Sequence, residues 1–330
     1  MKSTKKFALL LVLCLLILTP LLAGCQPQPT AAPKEDDPAV APAEQETKPL
    51  RIVFVTPLLA HSAWLQAKAG AEAAAKEFGF EVEWVGPQNV DIDAQIQYME
   101  QAIASDADGI INCPINTEAF LGVYDQASKA GIPVVNALVD TPEDTRLAYI
   151  GTSNVTHGTE AAQHMIEKMG GKANIAVFVT SLDSTNQLLT LDAFKEEIEG
   201  SPDMKIVTVE ADSSEMTAAI DKITQVLATY PEINAVLCLE GICGPAMTQI
   251  LAEQNRKDVA VMAVDDLPET VQGIRDGWIY ATMAQKFYIV GYEGAKMILA
   301  SLDGEEVPSI TDSGITYIDI ENVDSYDLTK

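Results

Sequence analysis

The amino-acid sequence predicts an α/β protein of two similar lobes, each a parallel sheet covered by helices on both faces. Three observations predict it. Short apolar runs alternate with segments whose apolar residues recur at helical spacing. The alternation restarts after "GTSNVTHG" at residues 151–158. About 280 of the 330 residues follow a proline-rich stretch, enough for two lobes each with its own core.

In the first lobe, residues 52–55, 82–85, 109–112, 134–137 and 148–150 read as short buried strands, joined by helices over 62–78, 92–105 and 118–130. Ala63, Ala67, Gly70, Ala71, Ala74 and Phe78 line one face of the first helix. The second series runs helix 155–169, strand 174–179, helix 185–199, strand 205–209, helix 216–229, strand 235–239, helix 244–254 and strand 259–264. With right-handed crossovers such series give parallel sheets. Ligands of these sheets sit outside the carboxyl ends of the strands. His61 and Trp64, in the loop after the first strand, therefore stand where a ligand would be, although an aromatic at a helix start also serves core packing.

The N-terminus is not expected to belong to the fold. Lys2, Lys5 and Lys6 precede an apolar run over 7–18 and small residues before Cys25, the pattern of a secretory leader spanning 1–24. The run is short against the roughly 20 residues of a membrane-spanning helix. Its end, "LAGC", resembles the bacterial lipobox, which makes Cys25 the acylated N-terminus; an ordinary signal anchor with an incidental cysteine is the plainer alternative. Stable attachment takes more than one acyl chain, which lipobox processing supplies. Residues 25–49, with proline every few positions and scarcely any large apolar side chain, read as a disordered tether. The expected location is extracytoplasmic, on the outer face of the cytoplasmic membrane or a periplasmic leaflet.

The net charge is −27, and removing the three leader lysines lowers it by three, to −30. No basic patch is visible for nucleic acid, and the charge suits solubility at an anionic cell surface. Beyond Cys14 and Cys25, three cysteines remain. An odd number argues against a disulfide framework. Cys113, Cys238 and Cys243, the last placed in a turn, read as small buried hydrophobes, with a Cys238–Cys243 bridge open but not required. Zinc is not expected: no C-x-x-C pair exists, and His157 and His164 have no obvious third ligand.

The segments "RIVFVTPLLAHSAWLQAKAGAEAAAKEFGFEV", "AIASDADGIINCPINTEAF", "ASKAGIPVV", "AYIGTSNVTHGTEAAQHM", "VMAVDDLPETVQGIRDGWIYATMAQ" and "GYEGAKMI" resemble, in order and spacing, the periplasmic sugar-binding proteins of the ribose- and galactose-binding type, relatives of the LacI ligand domain. The resemblance covers nearly all of residues 50–330. It implies the type I periplasmic-binding-protein fold: two Rossmann-like, flavodoxin-like lobes with three hinge crossings, near Gly151, Gln285 and Ser313. Residues 50–151 and 286–312 then make the N-terminal lobe, and 152–285 with 313–330 the C-terminal lobe. No DNA-reading segment precedes residue 50, and the leader excludes a transcriptional regulator.

The resemblance also carries ligand positions. His61 and Trp64 match the family's polar and aromatic loop residues, with Trp64 stacking on a ring. Asn136 stands near the family aspartate after "GIPVV", in shifted form. The family's second-lobe arginine is missing from "QLLTLDAF", and Thr190 is the nearest equivalent; without the arginine fork, ordinary pentose or hexose specificity is not implied. Glu240, Asp265 and Gln285 take the places of a family asparagine, aspartate and glutamine. Each has a plainer role to compete with, Asp265 as a helix N-terminal acid.

Two buried carboxylates without a cation require compensation. The expected ligand is therefore an amino sugar or amino polyol, the alternative being a neutral polyol beside a protonated His61. Capture proceeds by lobe closure, and the closed form docks on the permease of an ABC importer, or alternatively on a chemoreceptor or sensor kinase. No Walker motif is present, no cofactor is implied, and a monomer is expected. Catalysis would need Glu240 with Asp265 as a glycosidase pair or Cys113 with His61; only the residue types favour either, and an enzyme is not expected.

Overall fold

The computed structural model describes residues 48–326. The leader, Cys25 and the tether up to residue 47 lie outside the described residues. The first sheet holds β1 (Arg51–Val55), β2 (Glu81–Val85), β3 (Gly109–Asn112), β4 (Val134–Ala137), β5 (Ala148–Gly151) and β11 (Ile310–Asp312), in the order β11-β5-β4-β3-β1-β2. The second holds β6 (Lys172–Val179), β7 (Asp203–Ala211), β8 (Ala235–Cys238), β9 (Ala260–Val264), β10 (Ala281–Gln285) and β12 (Ile315–Asp319), in the order β12-β10-β9-β8-β6-β7. Every pairing is parallel except β10 with β12. These are the two parallel-sheet lobes that the apolar alternation implied, in the type I arrangement that the resemblance implied.

Strands β3, β4, β5 and β8 are buried at every position, as strands covered on both faces must be. The edge strand β7 outruns the apolar stretch at 205–209 at both ends, because pairing with β6 continues where the side chains are only half-buried.

Helix α1 (Ser62–Phe78) packs on α9 (Phe287–Leu302) through two glycines. A Cβ on Gly70 would lie 2.0 Å from Tyr288 O, and one on Gly291 would lie 1.9 Å from Ala67 O, so the backbones touch where no side chain fits. Phe78 departs from the expected face: it is 41% exposed at the helix end, beside Tyr292, while Trp64 joins the buried alanines. In the second lobe α4 (Asn154–Met169) meets α5 (Thr185–Ile198) at Gly158, whose Cβ would fall 2.2 Å from Thr190 O.

The chain passes between the sheets after β5, after β10 and between β11 and β12. At the last passage Ser313 N–H donates to Gly151 O at 3.0 Å and Thr152 Oγ1 to Gly314 O at 3.1 Å, so two of the passages are tied together. The lobes are closed on each other. Gln66 Nε2 donates to Asp266 Oδ1 at 2.9 Å, Thr185 N–H to Ile115 O at 3.2 Å, and Asn116 Nδ2 to Asp183 Oδ2 at 3.3 Å. Leu267 and Ile242, from loops of the second sheet, pack into the apolar cluster of the first.

Candidate functional site

The strand ends of both sheets face one narrow cleft, lined by residues from both. His61, Trp64, Glu240, Asp265 and Gln285 line it together. His61 is the N-cap residue of α1, yet its side chain caps nothing, and its buried Nδ1 has no hydrogen-bond partner. Burial lowers its pKa to about 4, so the ring is neutral at pH 7 and the protonated His61 of the neutral-polyol alternative is not formed. Trp64 is 7% exposed and stands edge-on to Phe54 and Phe287, at 6.3 and 5.1 Å. Most of its ring is core, and only its margin reaches the cleft.

Asp265 follows β9 with φ 64, a left-handed conformation that disfavours side chains. Its backbone is held there on both sides: its N–H donates to Met283 O at 3.0 Å and its carbonyl accepts Thr282 Oγ1 at 2.6 Å. Gln285 Nε2 donates to Oδ1 at 3.0 Å. Burial raises the carboxyl to about 7, with Asp266 and Glu240 adding to the rise and the Gln285 bond opposing it. Leu138, after β4, and Ser213 and Ser214, after β7, also have positive φ at or beside the cleft. Such strain persists where surrounding bonds over-determine it, commonly in binding sites.

Glu240 stands between β8 and α7 (Cys243–Gln254). Its Oε2 accepts Ile242 N–H at 2.8 Å and Ser214 Oγ at 2.9 Å, and its Oε1 accepts Cys243 N–H. The carboxyl is thus seated on the positive end of α7. Cys243 is the first residue of that helix rather than part of a turn, and it is bonded to Cys238. The bridge that the sequence left open is therefore formed, and the reading of both as small buried hydrophobes is replaced: five residues of separation, folded back by the strand-to-helix corner, bring the two sulfurs together. Among the described residues Cys113 alone is free, and burial pushes its thiol up, away from what a nucleophile needs.

Two expected ligand residues are not in the cleft. Asn136 points from β4 toward helix α3 (Thr117–Lys129), where Tyr124 Oη donates to its Oδ1 at 2.5 Å, and its Nδ2 donates to Thr141 Oγ1 at 2.8 Å. Leu138 and Val139 take its place on the wall. Thr190 is 3% exposed on the α5 face packed against α4, with Oγ1 donating to Asn154 Oδ1 at 3.3 Å.

Asn186 and Gln187, about one helical turn earlier, line the cleft instead, with Thr180 and Ser214. The signal for them was the polar residues closing two apolar strands, "TSLDSTNQ" and "ADSSE". Gln187 Nε2 donates to Thr180 Oγ1 at 2.9 Å, and Thr180 Oγ1 and Ser214 Oγ are 2.8 Å apart. Because the Ser214 proton goes to Glu240, the Thr180 hydroxyl must donate to Ser214. The chain of donors therefore runs toward the acid, leaving hydroxyl lone pairs for a ligand.

Among the described residues no Lys or Arg lines the cleft. Buried Arg146 is held by Asp140 through Nε and Nη2 at 2.5 and 2.7 Å. Among the described residues no cluster of His, Cys, Asp and Glu is arranged to hold a metal ion. The arrangement can accept hydrogen bonds from a small polar ligand enclosed between two lobes.

A family model described as periplasmic binding protein domain matches residues 52–306. The xylose/arabinose-binding protein XylF of Sulfolobus acidocaldarius is 24% identical over 298 residues, covering 85% of this chain and 73% of that one. GanP, a glucose-galactose binding protein from Geobacillus stearothermophilus, superposes with a TM-score of 0.80 at 28% identity, over 84% of this chain and 99% of that one. An ABC transporter solute binding protein from Burkholderia graminis, solved with D-arabinose, gives 0.80 at 26% identity, over 84% and 97%.

Proposed function

Since the chain belongs to the periplasmic binding protein domain family, we propose that it captures a sugar or sugar-like ligand outside the cytoplasm by closing two lobes, and delivers it to the permease of an ABC importer. Residues 50–151 with 286–312 form one lobe and 152–285 with 313–330 the other, a division supported by the strands each sheet contains. The ligand is a polyol or amino sugar. The observation that carries this reading is the cleft wall: Glu240 and Asp265 face a neutral His61 and no basic side chain. Such a wall accepts hydroxyl or ammonium donors and repels carboxylates and phosphates.

Lobe contacts favour closure, and ligand contacts to both walls add to them. The leader and the "LAGC" sequence support attachment through acylated Cys25, which would hold the protein beside a permease. The protein acts as a binding protein, a reading supported by the family model and by curated relatives that are binding proteins.

A thermal-shift screen tests the reading. Ligand at 100 times its Kd adds about 2.7 kcal/mol of stability. Neutral sugars, polyols or amino sugars should raise the melting temperature, while uronates and sugar phosphates should not. Stabilisation by the acidic sugars alone would overturn it.

A further inference from the structure

Asp212, at the end of β7, carries an oxygen that the cleft wall does not explain. The residue is 1% exposed; its Oδ1 accepts Ser214 N–H at 3.0 Å, but its buried Oδ2 has no partner. Ser214 joins it to Glu240: its N–H donates to Asp212 Oδ1 and its Oγ to Glu240 Oε2, so the two buried carboxyls are neighbours across one residue. Two neighbouring carboxylates cut off from water do not both ionise. One proton between them gives Asp212 Oδ2 its partner and leaves the pair with a single negative charge, seated on the N-terminus of α7.

The charged and titratable groups around the pair do not neutralise it. Asp265, with Asp266 behind it, comes from the loop after β9, and neutral His61 from the loop after β1. On β7 and α6 (Met216–Thr229), Glu210 and Lys222 are paired with each other at 3.2 Å, and Glu215 caps α6 by accepting Ala218 N–H. The Thr180–Ser214 donor chain also ends on Glu240, so a positive charge entering the cleft meets lone pairs along this wall.

We propose that Asp212 and Glu240 hold one proton between them in the free protein, and that the ammonium group of an amino sugar or amino polyol, docking on Glu240, replaces that proton, which leaves to solvent. This rests on the reading that the cleft captures a sugar-like ligand. One O–H bond is broken, its proton passes to water, and the ammonium charge takes its place, so the net charge of the floor is unchanged. A hydroxyl brings no charge to the exchange, so discrimination between an amine and its neutral parent increases as pH rises.

The test is titration calorimetry of the protein with glucosamine, galactosamine and mannosamine beside glucose, galactose and mannose, in two buffers of different ionisation enthalpy at pH 7. An amino sugar should bind at least about tenfold more tightly than its parent, releasing about one proton per site. Asp212→Asn keeps the shape but supplies an amide donor to Glu240, so it should retain the amine preference while proton release falls to near zero. Amine binding without proton release, or preference for the neutral parents, overturns the exchange and leaves sugar capture standing. Binding of none of the six overturns the exchange, and a thermal shift with xylitol or another neutral ligand then shows whether capture itself survives.

Discussion

A Cβ on Gly241 would lie 2.9 Å from Asp265 Oδ2, so the loop after β8 and the loop after β9 touch where only hydrogen fits. The His61 ring comes within 3.1 Å of the same point. One glycine thus lets three strand-end loops, from both lobes, converge on the cleft.

Gly241→Ala should therefore displace the Asp265 carboxyl and the His61 ring while leaving both cores intact. Ligand affinity is expected to fall at least about tenfold, with the free protein's melting temperature lowered by no more than about 4 °C, equivalent to about 1 kcal/mol. Calorimetric titration beside a thermal scan separates the two effects.

The Cys238–Cys243 bridge closes a short loop that contains Glu240. Chain-entropy reasoning for a loop of this length gives about 2 kcal/mol. The double substitution Cys238→Ala, Cys243→Ala should lower the melting temperature by roughly 4–8 °C and weaken ligand binding, because the N–H groups that seat Glu240 lose their anchor. Unchanged affinity in that variant would show that α7 holds Glu240 without the bridge.

Buried acid–base groups oppose one another in their effect on stability. Asp265 is raised from 3.8 to about 7, so its contribution is present below about 3.8 and lost as pH rises to about 7, a change of about 4 kcal/mol. His61 and His157 are lowered from 6.5 to about 4 by burial; their contribution is present above 6.5 and lost as pH falls toward 4. Asp265→Asn should unmask the histidines. In urea unfolding at pH 4.5, 5.5 and 7, the variant should lose more stability on acidification than the parent does, whereas parallel profiles would place the Asp265 titration elsewhere.

The bond from Gln66 to Asp266 joins the lobes without lining the cleft. Gln66→Ala should populate the open form, raising the radius of gyration of the free protein in small-angle scattering. Apparent affinity should drop about tenfold through the smaller closed fraction. A drop in affinity without opening would mean that Gln66 acts on the ligand itself.

The sequence by itself determined the two parallel-sheet lobes, because strands buried on both faces must be apolar throughout and the helices between them must be amphipathic. Its position after the first strand also located His61 at the cleft, while Glu240, Asp265 and Gln285 were placed there by the family resemblance. Tertiary structure decided the rest. Asn136 and Thr190 lie within β4 and α5, but the face a side chain presents depends on its neighbours: Tyr124 claims the first and the α4 contact the second. Which acids meet, Asp212 with Glu240 from separate strands, and which cysteines bond, depend on how β7, β8 and α7 are brought together in space, and no spacing along the chain encodes that distance.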